Sequence, residues 1–216
     1  MEAHRSGRRG PQTEESRWSH KLTYILRHGA IKEGVPINHA GQVKVSDLLA
    51  HNQFRGLTPE MLQRVVDTND KKRFTIENID GVPYIKAVQG HSMAVEVDMT
   101  PIARAEDVPI AVHGTNLAAW QIIRHQGLKP MGRLHVHFAS GLPREDGVIS
   151  GMRSSSDVLI YLDVRRALAD GMALFRSANG VILTAGLGGV VSPAYFLRVT
   201  DRRGQPMPMA SEADRP

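Results

Sequence analysis

The chain of 216 residues contains no cysteine. This absence excludes disulfide bonds, cysteine nucleophiles and thiolate metal sites, and it is compatible with a reducing compartment. Long apolar runs are absent too, since the longest, such as Val158–Leu162, have the length of a strand. Residues 1–16 are polar and Arg-rich without an apolar stretch, so we predict no secretory signal. We therefore expect no membrane association and a cytoplasmic or nuclear location.

Two glycine fingerprints of nucleotide-binding proteins are also missing. The sequence has no P-loop and no Rossmann fingerprint. Residues 186–189 are rich in glycine, but no Gly-Lys-Ser/Thr follows them. A kinase or a dehydrogenase is accordingly not expected, and no internal repeat indicates a solenoid.

Positive charge is what the sequence has in excess. The formal net charge is +5, and arginine outnumbers lysine. Guanidinium groups bind phosphate in a bidentate manner, so a polyanionic partner is one interpretation. A merely basic, soluble surface is the other, and charge alone leaves both open.

Residues 17–97 predict a small unit of helices followed by a β-hairpin. Apolar residues from Trp18 onward recur at helical spacing, and Thr58 before proline and glutamate marks a helix start. Ser46 is expected to cap another helix. A turn at Asp80-Gly81 joins two alternating strands. This order of elements favours a winged-helix unit, a class that usually binds nucleic acid.

The remaining chain divides by composition into four parts. We expect residues 1–16 to be a disordered basic N-terminus and residues 202–216 a flexible tail. Residues 98–109 are polar and punctuated by proline, as in a linker. Residues 110–201 alternate many short strands with few helices, which predicts a second lobe and an α+β fold class.

Cations cluster at two places in the front half. Arg27 and His28 precede Gly29 at the expected end of the first helix, where cations complement the helix dipole. Under that interpretation, the two residues stabilise the helix and have no role in binding or catalysis. Lys71, Lys72 and Arg73 open the hairpin and form, in the simplest case, a solvated face. If helix and hairpin pack together, Arg27, His28 and Arg73 can converge on one phosphate.

Histidines and arginines recur in the back half. His113-Gly114-Thr115 lies at a strand end, where a ligand-facing loop is expected. His135 and His137 alternate on one strand face, but no cysteine or carboxylate cluster completes a metal ligand set, so we expect no metal. Arg133, Arg153 and Arg176 lie in turn-like segments, and their number suggests anion binding.

The motifs together resemble one family, the NAD⁺-dependent RNA (tRNA) 2′-phosphotransferases. The resemblance covers about residues 18–199, and its specificity comes from the order and spacing of seven short segments. They are Leu-Arg-His-Gly-Ala (26–30), Arg-Val-Val-Asp-Thr-Asn (64–69) with Lys-Arg-Phe (72–74), Ala-Val-Gln-Gly-His-Ser (87–92), Val-His-Gly-Thr (112–115), His-Val-His (135–137), Gly-Val-Ile-Ser-Gly-Met-Arg (147–153) and Phe-Arg-Ser-Ala-Asn-Gly (175–180).

This resemblance implies a winged-helix RNA lobe joined to an ADP-ribosyltransferase-like NAD lobe, with the active site between them. It implies a catalytic set of Arg27, His28, Arg73 and Arg133. In the family reaction, the RNA 2′-phosphate attacks the nicotinamide ribose C1″ and expels nicotinamide. The ribose O2″ then attacks phosphorus, which releases 2′-OH RNA and ADP-ribose 1″,2″-cyclic phosphate.

The resemblance also implies binding residues. NAD is the co-substrate and no metal is needed, with contacts assigned to His113, Gly114, Thr115, His137, Ser140, Arg153 and Arg176. RNA contacts are assigned to Lys21, Asn69 and Lys72. The partner implied is an RNA with an internal 2′-phosphate, such as spliced tRNA, bound by a monomer.

Two alternatives remain at this point. The chain could be an ADP-ribosyltransferase that caps phosphorylated nucleic-acid ends, or a non-catalytic winged-helix nucleic-acid binder. ADP-ribosyltransferases that modify proteins often carry a late-strand glutamate, whereas residues 181–183 here are all apolar. A phosphate dianion is already nucleophilic, so this absence favours a phosphate acceptor. The first helix also departs from the family, with Ser19-His20-Lys21 where many members have Ser-Lys.

Overall fold

A computed structural model describes residues 13–96, 98–142, 152 and 155–209. The chain forms two lobes, each with helices, a sheet arrangement and its own buried core. The predicted α+β class is confirmed. Across the described ranges, no helix is both long and apolar enough to cross a bilayer.

The front lobe packs four helices against a small antiparallel sheet. Its sheet order is β1-β3-β2, and the two outer strands both pair with β3. The elements are α1 (Glu14–Tyr24), α2 (Ala30–Glu33), β1 (Gln42–Lys44), α3 (Val45–Ala50), α4 (Pro59–Asp67), β2 (Phe74–Ile79) and β3 (Val82–Ala87). Their apolar faces enclose one core that includes Trp18, Leu22, Phe54 and Ile85.

Helix α1 begins earlier than expected. The Thr13 side chain accepts a hydrogen bond from the Ser16 backbone N–H, and Glu14 and Glu15 lie in the first turn. The assignment of residues 13–16 to a disordered terminus was therefore wrong, because a capping hydroxyl and two acids favour a helix start there.

Arg27 and His28 do not lie at a helix end, contrary to the prediction. Residues Ile25–Gly29 form a π-helical turn, after which the helix continues through α2 and ends at Gly34 with φ of +74°. A β-carbon on Gly29 would lie only 2.7 Å from a ring carbon of Tyr24. The wider turn thus depends on a glycine, and such turns often mark functional sites.

Three other local predictions can be compared with the structure. Thr58 caps α4 through its side chain, as expected. The hairpin turn at Asp80-Gly81 is confirmed, and both residues have positive φ. Ser46 does not cap α3, because the helix starts at Val45 and Lys44 occupies the capping position.

The back lobe is built from two antiparallel sheets. One has the order β10-β7-β5 and the other β4-β8-β9-β6, and a bridge between Val112 and Ala139 joins them. The elements are β4 (Met99–Pro101), β5 (Val112–Thr115), α5 (Leu117–Gln126), β6 (Val136–Phe138), β7 (Val158–Leu162), α6 (Val164–Ala169), β8 (Phe175–Ser177), β9 (Ile182–Thr184) and β10 (Phe196–Asp201). The main core lies between these sheets and helices.

The two segments expected to be irregular contribute to this lobe. Residues 98–109 contain β4, which pairs with β8, and they bury Ile102 and Val108 in the core. This segment is therefore not a linker. After β10, the chain turns back so that the Met207 N–H donates to the Val199 carbonyl, which corrects the predicted start of the tail at residue 202.

Candidate active site

Arg27 lies at the centre of the site. The π-helical turn directs its side chain inward, so the residue is only 7% exposed, and its guanidinium lies against Gly90. A β-carbon on Gly90 would lie 3.2 Å from Arg27 Nη1. Burial, together with the charges of Arg73 and Arg133, lowers the pKa of Arg27 to about 10. Three guanidinium groups from distant parts of the sequence therefore act on one another.

The Arg27 guanidinium is also incompletely hydrogen-bonded. Its Nε and Nη2 atoms are buried without a partner among the described residues. An unpaired buried donor costs about 1–3 kcal/mol, and more when charged. A desolvated arginine with free donors beside two further arginines is suited to bind a phosphate.

His28 lies next to Arg27 on a more exposed side of the turn. Its Nδ1 atom lies 2.9 Å from Ser92 Oγ, and the Ser92 backbone N–H donates to the Arg27 carbonyl over 3.0 Å. Burial and the charges of Arg133 and Arg27 lower the pKa of His28. The segment after β3 thus fixes both residues of the turn.

Arg73 enters the site at the start of the hairpin. Asn69 Oδ1 accepts from the Arg73 backbone N–H over 3.1 Å and from its Nη1 atom over 3.3 Å. Burial lowers the pKa of Arg73, while the nearby Asp70 raises it. Arg73 is half-buried and is held by its own turn.

Arg133 comes from the back lobe, in a turn before β6. Met131, two residues earlier, has φ of +57°, and the Arg133 N–H donates to the Pro130 carbonyl. The next residue, Leu134, donates its N–H to the His91 carbonyl of the front lobe over 3.1 Å. This backbone contact brings Arg133 to the front-lobe cations.

Two histidines of the back lobe face the same region. His113 Nδ1 lies 2.9 Å from the His137 carbonyl, and the His113 ring packs edge-on against Phe138. Burial and the charge of Arg133 lower the pKa of His137 to about 3, and burial is also the main cause of the lowered pKa of His113. Both rings are therefore neutral at physiological pH.

His91 is a site residue that was not assigned a role from the sequence. It is 3% exposed, and neither ring nitrogen has a partner among the described residues. Burial and the charges of Arg27 and His28 lower its pKa to about 4. The available signal was its position directly after Gly90, within residues 87–92, one of the seven segments that carry the family resemblance.

The model of the RNA 2′-phosphotransferase, Tpt1 / KptA family matches residues 13–186. The chain belongs to this family. The family predicted from the sequence is thereby confirmed, and so is its enzyme class, a transferase.

Individual relatives agree with the family. A tRNA 2′-phosphotransferase 1 of Danio rerio is 44% identical over 208 residues, which are 94% of this chain and 92% of that protein. The Homo sapiens protein of the same name is 42% identical, with coverage of 96% and 86%. A relative from Schizosaccharomyces pombe is 45% identical, and the match covers 90% of this chain but only 54% of that protein. The chain thus spans about half the length of that relative.

The remaining residues that were assigned to NAD do not all lie in the same region. Gly114 and Thr115 lie on β5 beside His113, and Ser140 follows the strand that carries His137. A β-carbon on Gly114 would lie 2.3 Å from Met152 Cγ, so glycine at this position leaves room for the Met152 side chain. Arg153 lies outside the described residues.

Arg176 does not lie with the histidine pair. It is opposite Ile182 in the sheet, and Ile182 is opposite Phe138, whereas His137 is opposite Leu183. Because residues directly opposite one another share a face, Arg176 lies on the core side of the sheet. Its guanidinium donates to the Asp107 carbonyl.

Two of the residues assigned to RNA are engaged within the protein. Lys21 donates to the Gln53 carbonyl over 3.0 Å and lies over the Trp18 ring. Asn69 holds Arg73, as described above. Lys72 is exposed, and its assignment to RNA stays a prediction. Over the part of the chain that the structure describes, no group of three metal-ligating side chains occurs.

Proposed function

We propose that this chain transfers an internal RNA 2′-phosphate to NAD⁺, using a cleft between a winged-helix lobe and an ADP-ribosyltransferase-like lobe. The observation that carries the proposal is the convergence of Arg27, Arg73 and Arg133 from two lobes, together with the Arg27 donors that have no partner among the described residues. Three guanidinium groups exceed the two negative charges of a phosphate dianion, so the charge balance requires no metal. Family membership supplies the reaction class.

The front-lobe residues hold the phosphate in the first step. Arg27 donates from its unpaired Nε and Nη2 atoms, and Arg73 and His28 complete the grip. Fixing the phosphate oxygen in line with C1″ of the ribose lowers the barrier by positioning. The phosphate needs no general base, because it is already anionic. Nicotinamide leaves, and the RNA becomes joined to ADP-ribose through its 2′-phosphate.

Arg133 and His28 act in the second step, when the ribose O2″ attacks phosphorus. Arg133 stabilises the negative charge that develops on the phosphoryl oxygens, as arginines do in phosphoryl transfer. We assign to His28 the protonation of the departing RNA 2′-oxygen, since the negative charge of a bound phosphate opposes the lowering of its pKa by Arg133 and Arg27. Ser92 Oγ, 2.9 Å from Nδ1, orients the ring. The products are 2′-OH RNA and the cyclic phosphate.

The histidine pair suits the nicotinamide end of NAD⁺. His137 has a buried Nε2 atom without a partner among the described residues, and its pKa of about 3 keeps the ring neutral. The nicotinamide ring of NAD⁺ is cationic, and a neutral imidazole does not repel it. His113, held by the His137 carbonyl, lies beside it to contact the ribose.

The RNA substrate is inferred from the relatives. The Danio rerio and Homo sapiens relatives are named tRNA 2′-phosphotransferases, so a spliced tRNA with a 2′-phosphate is the proposed substrate. A groove lined by Ser16, Ser19, Asn69 and Arg73 runs beside the site, and we assign it to nucleotides that flank the phosphate.

The test is incubation with a 2′-phosphorylated oligoribonucleotide, with and without NAD⁺, followed by mass analysis of both products. We expect loss of one phosphate from the RNA and formation of the cyclic phosphate only when NAD⁺ is present. Arg165→Ala serves as a matched control, because the Arg165 side chain is 80% exposed and pairs with Glu106, which is not a member of the cluster. RNA that retains its phosphate, or that keeps ADP-ribose, contradicts the proposal.

A further inference from the structure

The turn before Arg73 has a strained backbone. It connects α4 to β2, and Lys72 within it has φ of +40°. This is a left-handed backbone conformation that residues other than glycine rarely adopt. The Lys72 N–H donates to the Asn69 carbonyl over 2.7 Å. Such strain costs about 1–3 kcal/mol and persists only where surrounding contacts impose it.

Asn69 imposes the turn from within the front lobe. Its Oδ1 atom accepts both the backbone N–H and the Nη1 hydrogen of Arg73, so one amide oxygen sets the backbone and the guanidinium together. Its Nδ2 atom donates to Ser19 Oγ on α1 over 3.1 Å. The Arg73 side chain is therefore tied to the helix that leads into Arg27.

Asn179 imposes the same turn from the back lobe. It is 6% exposed, and its Nδ2 atom donates to the Lys71 carbonyl over 3.1 Å and the Lys72 carbonyl over 3.3 Å. Ser177 Oγ lies 2.8 Å from Asn179 Oδ1 and also accepts the Val181 N–H. This network orients the amide so that its donors face the other lobe.

We propose that Asn69 and Asn179 are positioning residues that act through the strained turn to fix Arg73 relative to the back lobe. Without Asn179, the turn loses the amide that donates to its Lys71 and Lys72 carbonyls from the back lobe. Without the Asn69 amide, the Arg73 guanidinium loses the hydrogen bond that orients it. The inference rests on the proposed function, since the distance it controls is that between Arg73 and the Arg133 side of the cleft.

The experiment compares Asn69→Ala and Asn179→Asp with the wild type in the full chain. Asn179→Asp keeps the shape of the side chain but replaces the donor with a carboxylate that the two carbonyls repel. We expect each variant to lose about tenfold in single-turnover phosphate transfer, because small misplacements of a reacting group are costly. Asn78→Asp is the matched control, since Asn78 is exposed on β2 of the same hairpin, and we expect it to retain wild-type rates.

A second measurement separates positioning from general stability. In an Arg73→Ala background, Asn69→Ala is expected to add no further loss, because its effect passes through Arg73. Each variant is also expected to bind a 2′-phosphorylated oligoribonucleotide and its 2′-OH form with more similar affinities than the wild type does. Independent, multiplicative losses in the double variant, or wild-type discrimination in both single variants, overturn the inference.

The outcomes also distinguish this inference from the proposed function. If the wild type transfers no phosphate, the proposed function fails, while the binding comparison still decides whether the asparagines position Arg73. If Asn179→Asp does not fold, Asn69→Ala at its half-buried position and the Arg73 double variant give the answer. An active wild type with unaffected Asn69→Ala and Asn179→Asp variants overturns only the positioning role.

Discussion

The front and back lobes bring different charges to the candidate site. The front side presents permanent cations, and the most buried of them, Arg27, stays charged with a pKa of about 10. The back side adds a single arginine to this cluster, Arg133, and presents imidazoles that burial keeps neutral, with His137 at a pKa of about 3. The same physical cause, desolvation, therefore acts on both sides, but guanidinium keeps its proton and imidazole does not. In the proposed function, the arginines of both sides act on the phosphate, and the neutral histidines of the back side hold the cationic nicotinamide.

Removal of the buried cation is expected to have the largest effect. Arg27→Met is expected to lower phosphate transfer by about three orders of magnitude, since an arginine at developing phosphoryl charge contributes that much or more. The same change is expected to raise Tm, because a buried guanidinium with unpaired nitrogens and two cationic neighbours destabilises the fold. Activity and thermal unfolding measured on the same sample check both. A lower Tm would show that Arg27 is paired and stabilising.

Arg133 tests whether the two steps use different cations. Arg133→Ala is expected to slow the second step by about a hundredfold, so that ADP-ribosylated RNA accumulates. Arg27→Ala is expected to depress both steps without accumulation. Gel analysis of end-labelled RNA over time distinguishes them. Equal losses without an intermediate mean that the two roles are assigned wrongly.

The buried, neutral His91 of the front lobe predicts how the stability of the fold depends on pH. The folded pKa of His91 is about 4, below the ordinary value of 6.5, so the unfolded state binds more protons between these values. Stability is therefore full above about pH 6.5 and falls as the pH drops towards 4. His91→Asn is expected to show a shallower decline of Tm over that range. Parallel curves for wild type and variant mean that His91 is not buried as a neutral ring.

The smallest effect is expected at Lys72, the exposed cation beside the site. Lys72→Asn tolerates the left-handed backbone and removes one charge. We expect about a twofold to fivefold weaker binding of RNA, and a salt-dependence slope reduced by about one. Binding titrations at several salt concentrations measure both, with Lys32→Asn on the exposed surface of α2 as the control. An unchanged slope contradicts the assignment of Lys72 to RNA.

Sequence reasoning predicted residues that the structure brings together at the candidate site, but it misjudged some of their surroundings. Arg27 and His28 were expected at a helix end because Gly29 follows them. The structure continues the helix through a π turn, and a five-residue segment does not reveal that change of period. Asn69 was assigned to RNA, yet its amide is used by Arg73, since such hydrogen bonds depend on turn geometry.

Composition also misled at one boundary. Residues 98–109 were expected to be a linker because polar residues and prolines dominate there. Ile102 and Val108 nevertheless bury in the back-lobe core, and Met99 begins a strand paired with β8. Two isolated apolar residues form no periodic pattern, so only packing shows where they belong.

The fold class, the family and the residues that carry charge at the site follow from the amino-acid sequence alone. Apolar periodicity, caps and turn residues are local, and they act within a few positions of the chain. The tertiary structure was needed to show that Arg27, Arg73 and Arg133 are neighbours and that Asn179 reaches the turn before Arg73. It was also needed to show which histidine rings are buried away from water. Those properties depend on how the two lobes pack, because burial and long-range contacts have no local counterpart in the chain.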